Sequence, residues 1–216
     1  MFGPLGSPQI KEYITDINVS GRHLLEIIND ILDLSRIETG DRRPADSVVK
    51  LDRIFETCLR LVSNHAEEAG RKLGERPERE AAEILADERM VKQMLINLLS
   101  NTIKFTPRDG AVNFGTTRID NGYLSIWVKD TGIGIAADQI ERVTEPFGQL
   151  DGSLARKAEG TGLGLALVSA MMQMHGGTLE IESVLGNGTT VTLHFPAHRV
   201  IGAAAIQGGT KSRLSA

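Results

Sequence analysis

Asn97, Asn101 and Lys104 stand at i, i+4 and i+7, a spacing that on a helix gathers two amides and one ammonium on a single face. An amide oxygen suits a hard cation such as Mg²⁺ that keeps most of its waters and phosphate ligands, and a lysine offers phosphate a point charge. On its own the stripe reads more simply as the wet side of a surface helix, and its neighbours in the sequence shift the balance. Asp130-Thr131-Gly132-Ile133-Gly134 adds a carboxylate at the end of a predicted strand, followed by glycines that let backbone approach a planar ligand. Such a carboxylate accepts from an exocyclic amino group, and adenine carries one; alone, the segment also reads as a turn. Gly160-Thr161-Gly162-Leu163-Gly164-Leu165 then precedes an apolar helix, so its backbone N–H groups and the helix N-terminus form an anion site that fits phosphate. As a dinucleotide G-x-G-x-x-G motif it fails, because the third glycine comes one residue early and no convincing strand leads into it.

The elements that must position these groups follow from periodicity. Ile10, Ile14, Ile17, Leu24, Ile28 and Ile31 recur at steps of three and four, with Gly21 in the missing place, and predict a helix with a coiled-coil-like seam. A second stripe through Ile27 and Leu34 widens the apolar face beyond what a lone helix carries in water, so the helix needs partners. The pattern fades at Gly40, and residues 41–49, opening Asp41-Arg42-Arg43-Pro44, read as a hinge. Leu51, Ile54, Phe55, Cys58, Leu59 and Val62 predict a second helix to about Ala69; residues 70–83 are charged and ambiguous. Asp87 is an N-cap for a helix running to Pro107. Alternating stretches at 111–119 and 123–129, separated by Asp120-Asn121-Gly122, predict an antiparallel hairpin. The helix after Gly160 ends at Gly176-Gly177, and strands at 178–183 and 189–195 are joined through Leu185-Gly186-Asn187-Gly188. Trp127 and the Met171, Met172, Met174 cluster read as core. Hairpins among helices, with no regular strand–helix alternation, predict an α+β fold, a two-layer α/β sandwich, preceded by one long helix.

Composition narrows the function. The 216 residues, 41% hydrophobic, suffice for one sizeable core with an appendage. Twenty-four basic and 28 acidic residues give a net charge of −4 without a long single-sign block, so no nucleic-acid partner is expected. Cys58 is the only cysteine, which excludes an intramolecular disulfide and a thiolate metal cage and fits a reducing, cytoplasmic setting. No membrane segment and no secretory signal is read in this chain.

The order of the asparagine helix, Asp130-x-Gly132-x-Gly134, Glu145-Pro146-Phe147 and Gly160-x-Gly162-x-Gly164 resembles the catalytic domain of sensor histidine kinases, whose Bergerat-type ATP-binding fold is shared with gyrase and mismatch-repair ATPases. Residues Ile27 to Glu38 also resemble the second helix of that family's dimerisation hairpin, so the resemblance covers about residues 10–196. It implies a division into a dimerisation helix (1–40), a hinge (41–49), an ATP-binding domain (50–197) and a flexible tail (198–216). It implies ATP and Mg²⁺ as cofactors: Asn97 holding the metal, Asn101 and Lys104 on the phosphates, Asp130 on adenine, Gly132 and Gly134 shaping the base pocket, and Thr189 lining it. Gly160, Thr161, Gly162, Leu163 and Gly164 would carry a lid formed by residues 147–159, with Arg156 or Lys157 reaching a phosphate. The hydrolytic relatives place a glutamate where Asn97 stands, and an amide cannot act as a general base, so transfer to a protein acceptor is expected over rapid hydrolysis.

The family's acceptor histidine lies in a Ser-His-Glu-Leu-Arg-Thr-Pro-like box that this sequence lacks, so the chain is expected not to autophosphorylate alone. His23 follows Gly21-Arg22 and reads as a bundle-edge residue; His65, His175, His194 and His198 show no partner at suggestive spacing and receive no catalytic role. Thr102 departs from the small apolar residue usual in the family, and residues 71–83 replace a recognisable strand. The expected partners are a phosphoacceptor helix or kinase partner, a response regulator, and a second copy through residues 9–38. A serine protein kinase of the anti-sigma-factor type shares the pocket but not the long helix. A non-catalytic nucleotide-binding module is the remaining alternative.

Overall fold

The computed structural model describes residues 8–40, 43–74, 82–119, 122–149 and 161–202. Helix α1 (Pro8–Glu38) realises the predicted seam, and most of its apolar positions face water: Ile14, Ile17, Leu24, Ile28 and Ile31 are all exposed. Only near its end do Leu34 and Ile37 reach the main core, where α1 meets the helix that follows the glycine motif.

Strand β1 (Asp46–Lys50) runs directly into α2 (Leu51–Glu68). β2 (Lys72–Leu73) is short, and β3 (Glu83–Asp87) leads into α3 (Glu88–Phe105). The hairpin β4 (Ala111–Arg118) and β5 (Leu124–Asp130) is followed by a short α4 (Ile140–Thr144). α5 (Gly164–Met174), β6 (Thr178–Val184), β7 (Gly188–Phe195) and β8 (Val200–Ile201) complete the described chain. The strands form a five-stranded sheet ordered β2-β4-β5-β7-β6, antiparallel except for β2 against β4, and a three-stranded sheet ordered β1-β3-β8.

One face of the larger sheet carries Val112, Phe114, Ile126, Val128, Val191 and Leu193, buried under Leu95, Leu98 and Leu99 of α3, Phe55 and Cys58 of α2, and Leu167, Met171 and Met172 of α5. This is the two-layer α+β sandwich expected. Thr102 lies inside it without cost, since its hydroxyl donates to Leu99 O at 2.8 Å within the helix.

The structure departs from the sequence reading in four places, the first being the tail expected from residue 198: Val200 is buried in the core and β8 pairs with β3 through Glu83↔Ile201 and Ile84↔Val200. The second half of the residues read as hinge, 46–49, lies in β1, paired with β3 from Asp46↔Asp87 to Lys50↔Glu83; only Val49 of this edge strand is buried, so its pattern carries no alternation to detect. The ambiguous stretch ends in β3, whose core contact is Ile84 and Ala86 alone. Trp127 is not core: it occupies the odd face of β5, opposite Ile126 and Val128, and its indole N–H donates to Thr117 Oγ1 at 3.2 Å. Asp120 and Asn121 of the predicted turn lie outside the described residues, but Gly122, at φ +81°, closes the turn onto Ile119 O.

Candidate nucleotide site

Asp87 caps α3 as its sequence position requires, with Oδ1 accepting from the backbone N–H groups of Arg89 (2.9 Å) and Met90 (3.2 Å). From that fixed start the helix projects Asn97, Asn101 and Lys104 along one partly buried face, a stripe about 10 Å long at 1.5 Å per residue. The Lys104 ammonium sits 5.1 Å from the centroid of the Phe105 ring. Asn97 and Asn101 stand together at the start of α5: a Cβ placed on Gly164 would lie 3.6 Å from Asn101 Nδ2 and 3.9 Å from Asn97 Nδ2. Asn97 Nδ2 also lies 3.5 Å from Gly164 O, and Asn97 Oδ1 lies 3.5 Å from Gln93 Nε2, long contacts that leave both polar atoms of the amide available to a stronger partner.

At the other end of the stripe, β5 terminates in Asp130, whose side chain is 5% exposed. Asp130 Oδ1 accepts from the backbone N–H groups of Gly132 (2.7 Å) and Thr189 (3.2 Å), which fixes the carboxylate through one of its two oxygens. Burial pushes the Asp130 carboxyl above the ordinary range, and the two backbone N–H groups oppose the shift without cancelling it. A carboxylate held at that cost gains from a ligand that brings a hydrogen-bond donor. Around it Ser183 Oγ lies 2.8 Å from Thr189 Oγ1 and accepts from the Ile135 N–H at 2.7 Å, so the β6–β7 hairpin is tied to the loop. Ser183 is absent from the sequence reading; its signal is its register opposite Thr189, visible only once the strands pair.

The glycines serve close approach. A Cβ on Gly132 would stand 2.6 Å from Asp130 Oδ1 and 2.7 Å from Phe105 O, and one on Gly134, at φ +66°, would stand 2.1 Å from Val184 O. Ile133 N–H donates to Phe105 O at 3.3 Å, so the acidic loop abuts the end of α3 that carries Lys104. A cavity of about 200 Å³ touches Asp130, Ser183, Gly188 and Thr189, but it is also walled by the exposed Lys129, Glu182 and Val184 and includes none of Asn97, Asn101, Lys104, Gly132 or Gly134, so it borders the acidic loop and is not itself the space along α3.

At the glycine motif, Gly162 takes φ +70° and packs against Phe147, itself a non-glycine residue at φ +63° with 62% of its surface exposed. A strained, exposed aromatic is a costly arrangement at the root of a loop. The Leu163 N–H donates to Thr161 Oγ1 at 3.1 Å and the Leu163 side chain is buried. Gly160, Arg156 and Lys157, with the rest of the lid from residue 150, lie outside the described residues. Among the described residues no group of three or more His, Cys, Asp or Glu side chains is placed to hold a metal. A cation held by Asn97 would therefore draw its remaining ligands from phosphate and water, an arrangement that suits Mg²⁺.

Two histidines without assigned partners in the sequence do have them in space. His194 on the outer sheet face lies 2.8 Å from both Ser125 Oγ and Glu180 Oε2, a cross-strand array. His175 is fully buried at the end of α5, and burial holds its pKa below the ordinary 6.5. Both arrangements join residues far apart in sequence, which local spacing does not reveal.

Comparison with known proteins agrees with this geometry. Residues 86–199 match the family described as histidine kinase-, DNA gyrase B-, and HSP90-like ATPase. The chain is 47% identical over 200 residues to the non-motile and phage-resistance protein of Caulobacter vibrioides, covering 91% of this chain and 24% of that protein. It is 44% identical over 197 residues to the histidine protein kinase DivJ of the same organism, covering 91% of this chain and 32% of DivJ. It thus spans about a quarter to a third of the length of these relatives. Among solved structures, full-length ShkA in complex with AMPPNP superposes with a TM-score of 0.74 at 31% identity, covering 88% of this chain and 39% of ShkA. The chain belongs to the histidine kinase-, DNA gyrase B- and HSP90-like ATPase family, as a histidine kinase catalytic ATPase core.

Proposed function

We propose that this chain binds ATP with Mg²⁺ and transfers the γ-phosphoryl group to a histidine nitrogen on a phosphoacceptor helix. The observation that supports this reading best is the span of the site: a buried, hydrogen-bonded Asp130 abuts one end of the Asn97–Lys104 stripe, and Gly164 meets the other. Adenine would give its amino hydrogens to Asp130, with Gly132, Gly134 and Thr189 around the base. The phosphates would run along α3 past Lys104 and Asn101 toward Asn97, which would contribute one oxygen to Mg²⁺, while Gly160 to Gly164 anchor the lid. No side chain on the stripe is a base, so positioning and neutralisation of charge carry the reaction. The acceptor nitrogen forms its bond to phosphorus as the bond to the β–γ bridging oxygen breaks, and ADP leaves.

In this reading residues 9–38 join a second copy in a helical bundle, the hinge lies before β1, and the nucleotide-binding domain runs from β1 through β8, whose Val200 is buried in the core. The phosphorylated histidine passes its phosphoryl group to an aspartate of a response regulator, and the reaction takes place in the cytoplasm. Among the described residues no helix is long and apolar enough to cross a membrane. Incubation with γ-labelled ATP and a separately supplied acceptor hairpin tests the proposal. Acid-labile label on the hairpin, lost with Asp130→Asn, is expected; acid-stable label, or bound nucleotide with no transfer, contradicts it.

A further inference from the structure

His175 closes α5 and reaches across the helical layer. Its Nδ1 lies 2.7 Å from Met171 O in its own helix, and its Nε2 lies 3.1 Å from the backbone N–H of Asp87. One carbonyl and one N–H partner fix the tautomer: Nδ1 carries the proton and Nε2 accepts. The Asp87 side chain faces two ways. Its Oδ1 caps α3, and its Oδ2 accepts from the Ala45 N–H at 3.0 Å, in the segment that leads from α1 to β1. The next residue is held as well, since Arg199 Nη1 lies 2.9 Å from Asp46 Oδ1. Three parts of the fold therefore meet at one buried pair: Ala45 just before β1, the start of the helix bearing Asn97 and Asn101, and the end of the helix that begins beside them at Gly164.

We infer that His175 is a positioning residue which, through the Asp87 backbone, couples the segment joining α1 to β1 with the seating of α3 and α5 around nucleotide. The inference rests on the nucleotide reading above and gives that site its regulation. A helix moves as a rod, so a shift of α5 at Gly164 is felt at its other end, where one hydrogen bond passes it to Asp87 and so to Ala45. Coupling is reciprocal: nucleotide must change the backbone at Ala45, and displacement of Ala45 must change the nucleotide site.

Hydrogen exchange of backbone amides, read by NMR on the full chain with and without a non-hydrolysable Mg–ATP analogue, tests this in wild type, His175→Gln and His175→Asn. The glutamine carbonyl can take the Asp87 N–H; asparagine is long enough only for Met171 O. Wild type and His175→Gln should show Ala45 exchange changed about fivefold or more by nucleotide, the lower range of ordinary coupling. In His175→Asn the Ala45 response should vanish while Gly132 and Thr189 still become protected. Equal Ala45 responses in all three proteins, the same loss in both variants, or no Ala45 response in wild type with Gly132 and Thr189 protected, each overturns the inference and leaves the nucleotide reading standing. No protection of Gly132 and Thr189 in wild type removes the nucleotide reading and the inference with it.

Discussion

At the scale of single residues, Asp130 shows how burial prepares a group for a ligand. Its proton is held more tightly in the folded chain than in the unfolded one, so the folded state binds more protons between the ordinary 3.8 and the raised value. Stability of the nucleotide-free protein therefore falls as pH rises through that window, while the acceptor that adenine needs is being formed. Asp130→Asn removes that penalty and weakens the acceptor. Adenine-nucleotide affinity should fall about tenfold to hundredfold, the value of a charged hydrogen bond, in calorimetric titration, with the circular dichroism spectrum unchanged. His175 has the opposite sign. Its pKa is depressed from 6.5, so the unfolded chain binds the extra proton, and the stability contributed is full above 6.5 and lost as pH falls toward the depressed value. Urea denaturation at about pH 7.5 and about pH 5.5 should show that loss in wild type and a shallower one in His175→Gln.

At the scale of elements, two glycines with nearly the same backbone make opposite demands on space. Gly176, at φ +68° in the turn after α5, has no atom within 4 Å of an added Cβ, whereas Gly134, at φ +66°, would meet Val184 O. Gly176→Ala should cost only the backbone strain, about 1–2 kcal/mol. Gly134→Ala should cost more and separate the acidic loop from the β6–β7 hairpin, lowering nucleotide affinity as well; chemical denaturation and titration read both. The same elements explain what was legible in the sequence. α3, α5 and the two hairpins carry strong periodicity, a capping Asp87 and turn glycines, and Asn97, Asn101 and Gly164 come together because two such elements pack directly. β1 and β3 leave no alternation in the sequence because the core contact of each is only one or two side chains, and at Trp127 the alternation of β5 outweighs residue type. The links through His175, Ser183 and Ser125 depend on tertiary pairing and have no local signature.

At the scale of the whole molecule, the sandwich buries its own core, but α1 does not bury its seam. Ile14 and Ile28 remain 53% and 43% exposed, with Ile17, Leu24 and Ile31 beside them. An apolar face of that extent on a polar chain calls for another helix. Sedimentation should show concentration-dependent self-association through this face, and Ile14→Asp with Ile28→Asp should leave a monomer that still binds nucleotide. Nucleotide identity bears most directly on the account. A buried carboxylate that accepts from adenine's amino group faces a carbonyl oxygen in guanine, and a site left with two opposed acceptors rejects that ligand strongly. Calorimetric titration of the wild-type chain with Mg²⁺ and non-hydrolysable ATP or GTP analogues is therefore the decisive measurement. Saturable binding of the adenine nucleotide, stronger than guanine by at least about a hundredfold, is the predicted result. Equal affinities, or no binding heat with either nucleotide, contradict the assignment of Asp130 and the pocket built around it.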